Sequence, residues 1–160
     1  AIRSRLFLLC PFLPREVGYG NASARFLGLS SMRPRYADLF RRMRDPDLAK
    51  RDAAFDAVLF DRGQALPDII ECYKLAESDH ILRFYAIQLL GFSGSPNAVD
   101  TLVFALNDPE PMVRAEACRS LEDLGLKTQS VRSSLKARLD DIDGEVSQAA
   151  EEALSHLAAS

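Results

Sequence analysis

Charged residues recur along this chain at nearly even spacing, and they are the first candidates for chemistry. Arg51, Arg83 and Arg114 stand 32 and 31 residues apart, and Ser147 takes the equivalent position 33 residues later. Asp45, Asp108 and Asp143 accompany them in the polar segments just upstream. Carboxylates brought against guanidiniums could form an acid–base site. The other reactive side chains are sparse. His80 and His156, the only imidazoles, are separated by 76 residues. Cys10, Cys72 and Cys118 show no CxxC spacing, so neither a disulfide framework nor a zinc site is indicated. Arg114 and Arg119 near Cys118 are the one cue for a lowered thiol pKa. There is no phosphate-cradling glycine loop, no nucleophile elbow and no HExxH. The residues therefore predict no catalytic group, no metal and no cofactor. Buried thiols in a reducing, cytoplasmic compartment are expected.

The elements that must position these residues follow from size and periodicity. A chain of 160 residues with 48% apolar and 27% charged residues can bury one continuous core. The net charge is −3 and the sequence pI about 5.4, a poor balance for neutralising phosphates, so no nucleic-acid partner is expected. No apolar run approaches the ~18 residues of a membrane-spanning helix, and no membrane association is expected.

Residues 1–31 differ from 32–160. The first stretch carries four Arg against one Glu, holds Pro11, Pro14, Gly18 and Gly20, and lacks a sustained helical period. Three readings fit it. Arg3 and Arg5 before Leu6–Leu13 imitate a secretory signal, although Pro11 interrupts the apolar run. Leu6, Phe7, Leu8 and Phe12 could instead cap the first helices. Or the natural start is Met32, directly before the first periodic segment.

From residue 32 onward one arrangement repeats four times: an amphipathic helix, a polar turn, a second helix and a loop. The first helices read Tyr36, Leu39, Phe40, Met43; Leu66, Ile69, Ile70, Tyr73; Val99, Leu102, Val103, Leu106; and, more loosely, Val131, Leu135, Leu139. The turns are Asp45-Pro46-Asp47, Glu77-Ser78-Asp79, Asp108-Pro109-Glu110 and Asp143-Gly144-Glu145, rich in N-cap residues. Paired helices are predicted near 36–43/47–60, 65–76/79–91, 97–106/110–124 and 130–140/144–158. Ala86, Ala117 and Ala150 should lie where helices approach closely. In the loop Gly91-Phe92-Ser93-Gly94-Ser95-Pro96-Asn97, glycine should cap the preceding helix and proline should block its continuation.

The run from Ala98 to Ala117, continued by Leu121-Glu122-Asp123-Leu124-Gly125, resembles a HEAT repeat, in the short form of phycobilisome lyases. The resemblance covers residues 37–157 and implies an all-α, right-handed α-solenoid of about four helix pairs. It also implies that the Arg and Asp columns bond between neighbouring repeats as a structural ladder. Ser147 would then mark the last repeat, where no further partner follows.

In such stacks the second helices line the concave side. Three columns there are Asp52, Phe84, Ala115, Gln148; Phe55, Ile87, Cys118, Glu151; and Asp56, Gln88, Arg119, Glu152. Phe55, Phe84 and Ile87 are expected to form an apolar patch that is partly accessible or covered only by the N-terminal segment, with Arg119, Glu151 and Glu152 at the polar end. The function expected is a non-enzymatic scaffold that holds a peptide or helix of another protein in this groove. The alternative implied by the resemblance is a lyase-like or chaperone-like component acting on a chromophore-bearing protein. An enzyme acting on DNA would want a basic groove with stacking aromatics, and Arg119 stands alone among acids.

Overall fold

The computed structural model describes residues 31–159, so the three readings of the N-terminal segment lie outside the described residues apart from Ser31. The described residues form eight α-helices and no strand. They run α1 (Pro34–Arg42), α2 (Leu48–Phe60), α3 (Arg62–Leu75), α4 (His80–Phe92), α5 (Val99–Ala105, after a 3₁₀ turn at Pro96–Ala98), α6 (Pro111–Leu124), α7 (Gln129–Lys136) and α8 (Gly144–Ala159). Consecutive helices pair as α1/α2, α3/α4, α5/α6 and α7/α8. This is the all-α, solenoid-type architecture that the sequence predicts, with helix ends within a few residues of the expected ones.

Local chemistry explains where the helices start. Asp47, Asp79 and Thr128 each accept a hydrogen bond from a first-turn amide, at Ala49, Leu82 and Val131. Pro34 and Pro111 occupy first helical positions, where the missing N–H has no partner to lose. Gly125 ends α6 in the left-handed region at φ +65°. The loop after α4 uses Gly94 in that way, at φ +64°, and not Gly91. Gly91 lies inside α4, and its role is close approach. A Cβ built there would sit 2.8 Å from the Ser120 Cα on α6. Ser120 Oγ in turn donates to the Ile87 carbonyl at 3.1 Å.

The second helices form the middle of the stack. α4 packs on α6 and α6 on α8, while each also packs on its own first helix. Ala86, Ala117 and Ala150 are fully buried, as the alignment requires. The first-helix stripes are inside as well, with Tyr36, Phe40, Met43, Ile69, Tyr73, Leu102, Leu106, Val131 and Leu135 all buried. Leu39, Leu66, Ile70, Val99 and Val103 are half-buried against that core, and Leu139 is exposed. α7 ends at Lys136, so Leu139 falls in the turn and stays exposed. At the start, Met32 is buried in the core and Ser31 Oγ donates to Glu71.

Candidate functional site

The charged columns resolve into a ladder between repeats. Arg83 on α4 grips Asp108 of the following turn with two bonds, Nε to Oδ2 at 2.8 Å and Nη2 to Oδ1 at 2.9 Å. Its remaining Nη1 donates to the Ala76 and Glu77 carbonyls of its own turn. Arg114 repeats the arrangement one step on, reaching Asp141 at 3.0 and 2.8 Å and the Asp108 and Pro109 carbonyls at 2.9 and 3.2 Å. Each guanidinium thus ties two turns together through bidentate, charge-assisted bonds. Asp108 also accepts from the Tyr73 hydroxyl at 3.0 Å. Every guanidinium nitrogen in this cluster has an acceptor within the protein, and both ion pairs are almost fully buried.

Among the described residues, three members of the expected columns, Asp143, Asp45 and Arg51, form no rung. The ladder acid of the last turn is Asp141, not Asp143; Asp143 accepts the Glu145 and Val146 amides at the start of α8. The turn is Asp141-Ile142-Asp143, in register with Asp108-Pro109-Glu110. Asp45 does not meet an arginine of the column, and Arg51 forms no rung among the described residues. Ser147, at the last Arg position, bonds only to the Gly144 carbonyl of its own helix.

The expected groove residues part into two groups. Phe55 and Ile87 are buried, at 3% and 0% exposure, so they do not form an accessible patch. The physical reason is lateral packing: an inner second helix is covered by its own first helix and by the neighbours on both sides. The column Phe55, Ile87, Cys118, Glu151 is the flank turned toward the following repeat, where the Phe55 ring meets Tyr85 of α4 at 5.8 Å. It is apolar three times and then acidic, at Glu151 of the fourth repeat. The other two columns carry the outward strip. Phe84 on it is half-buried, Asp52, Asp56, Gln148 and Glu152 are exposed, and Gln88 and Ala115 are buried. Arg119 lies half-buried, paired with Glu145 at 2.8 Å and near Glu116 at 3.8 Å. Glu151 is exposed at the end of the stack.

The sequence pattern of the family described as HEAT repeats matches residues 66–155, more than half of the chain. The chain belongs to the HEAT-repeat family. No curated protein matches it. The match takes in the second, third and fourth HEAT repeats and begins after α2.

The titratable groups of the HEAT stack answer to packing. Hydrogen bonds from Arg114 hold the Asp141 carboxyl below its usual range, against the opposing effect of burial. Burial pushes the Cys118 thiol up to about 12 in spite of Arg119 and Arg138, and it pushes the Cys72 thiol well up too. Both cysteines are free and fully buried, which is the opposite of a reactive thiolate. His156 Nδ1 contacts Glu122 on the neighbouring second helix. Among the described residues no cluster of potential ligands could hold a metal ion, and no helix is long and apolar enough to cross a membrane. Sequence reasoning missed Phe104 and Phe60, which are 71% and 91% exposed. Their places outside the apolar stripes of α5 and α2 were the available signal.

Proposed function

We propose that this HEAT-repeat protein is a non-enzymatic scaffold whose second-helix face takes a basic segment of another protein. HEAT repeats generally mediate protein–protein scaffolding, and the face offers a specific chemistry for it. One observation carries the reading: Phe84 is only partly buried on the outward strip, in columns that also present the carboxylates of Asp52, Asp56 and Glu152. An aromatic ring among acids suits a ligand with one apolar anchor and flanking Lys or Arg. Arg119, held by Glu145 and Glu116, adds no free positive charge to this strip. The same charge opposes a phosphate backbone. Phe55 and Ile87 have no part in the proposed contact, because they hold the repeats together.

Selection of a random peptide library against the full chain tests this. Binders should be enriched in Lys and Arg around a Leu, Phe or Trp. Acidic binders, or binders without charge preference, would refute the reading. A chromophore-bearing protein belongs in the same screen, as the partner that the likeness to phycobilisome-lyase repeats suggests.

A further inference from the structure

The joint between the first and second repeats is built differently from the two joints after it. At the later joints Arg83–Asp108 and Arg114–Asp141 are almost fully buried, with side-chain exposures of 7% and 2%, and 11% and 4%. At the first joint the arginine is present as Arg51, but the acid position holds Glu77. Glu77 is exposed and forms no ion pair with Arg51, whose Nε is buried without a hydrogen-bond partner.

Side-chain length accounts for the failure. Asp45, Asp108 and Asp141 each use Oδ1 to accept the amide two residues on, at Asp47, Glu110 and Asp143, at 2.9, 3.0 and 3.1 Å. That short loop suits an aspartate and fixes the carboxylate under the approaching arginine. With glutamate at 77 the corresponding amide, Asp79, bonds to the Ala76 carbonyl instead. The carboxylate is left outside.

Besides the buried contact of Phe55 with Tyr85, the ion pairs that hold α1 and α2 on the stack lie closer to the surface. Arg44 pairs with Asp79 at 2.9 Å with both side chains about a quarter exposed. Arg33 binds Asp68 and the Gln64 carbonyl with its own side chain half exposed. Arg35 reaches Asp61 at 3.3 Å. Asp61 alone separates α2 from α3, a hinge of one residue.

We infer that α1 and α2 form a detachable cap, opening from the stack as one unit while α3–α8 stay folded, and uncovering Phe55 and Tyr85 when they do. The missing rung removes the buried ion pair that locks the other joints, and the less deeply buried pairs Arg44–Asp79 and Arg33–Asp68 are more open to screening by salt. Repeat arrays have nearest-neighbour interfaces, so one weak interface lets one end leave alone.

Hydrogen exchange of the full chain, read separately over 34–60 and 80–124, tests the cap. Salt is raised from about 0.01 to about 1 M, which shortens the Debye length from about 30 to about 3 Å. Residues 34–60 should exchange at a common rate, faster than 80–124, with the gap widening in salt. Glu77→Asp restores the short loop and the rung, and should slow exchange over 34–60 about tenfold without changing 80–124. Arg44→Ala should speed 34–60 alone. A single rate for both spans, no response to Glu77→Asp, or equal acceleration of both spans by Arg44→Ala would each overturn the inference.

Discussion

A guanidinium withdrawn from water needs each of its nitrogens bonded, and Arg83 and Arg114 meet that need with one carboxylate and two carbonyls apiece. Removing the acid should therefore cost more than the pair contributes in net terms, because the cation stays buried. Asp108→Ala should destabilise by about 3–5 kcal/mol, measured by urea unfolding. The pH dependence has two limbs. Asp141 titrates lower when folded than unfolded, so its contribution is present above about pH 4 and is lost as pH falls through the depressed value. Arg114→Met should reduce that loss between pH 5 and 3. Cys118 titrates higher when folded, near 12, so its contribution is present below about pH 8.5 and is lost as pH rises toward 12. Cys118→Ala should flatten the alkaline limb. The arginine column was legible because a long cation recurs at the repeat period. Its acids were harder to assign, since Asp141 and Asp143 both fit a polar turn and only the three-dimensional register separates them.

Between elements, the spacing of helix axes decides which small residues matter. Ala86, Ala117 and Ala150 could be read from the alignment because they recur in step. Gly91 could not, because glycine before a polar loop is also what a helix cap requires. Gly91→Ala sets propensity against packing. In an open helix the change stabilises by about 0.5–1 kcal/mol. Here the new Cβ meets the Ser120 backbone at 2.8 Å, which a rotamer change cannot relieve. The variant should lose about 1–3 kcal/mol by thermal unfolding. An unchanged or raised Tm would mean that α4 and α6 do not approach this closely. The buried Phe55 and Ile87 show the limit of the helical wheel. A 100° period gives the angle of a residue relative to its own core stripe, and says nothing of lateral neighbours. In a stack those neighbours bury two further sides of each inner helix.

At the scale of the whole described stack, the decisive feature is that its first and fourth repeats differ. In the flank column the fourth repeat has exposed Glu151 where the third has buried Cys118, and in the strip beside it exposed Gln148 stands where the third has buried Ala115. Glu151→Leu would give that flank the character of an inner one, and concentration-dependent association in analytical ultracentrifugation is expected. The central claim concerns the strip beside that flank. Calorimetric titration of one Lys/Arg-rich peptide with an apolar anchor, against Phe84→Asp and Phe104→Asp in parallel, tests it most directly. Both variants place a charge on an exposed or partly buried ring, but only Phe84 lies on the second-helix face. The account predicts at least about a tenfold loss of affinity for Phe84→Asp, the size of one anchor above 1.4 kcal/mol, and wild-type affinity for Phe104→Asp. Undiminished binding by Phe84→Asp, with loss in Phe104→Asp, would place the partner on the first helices and contradict it.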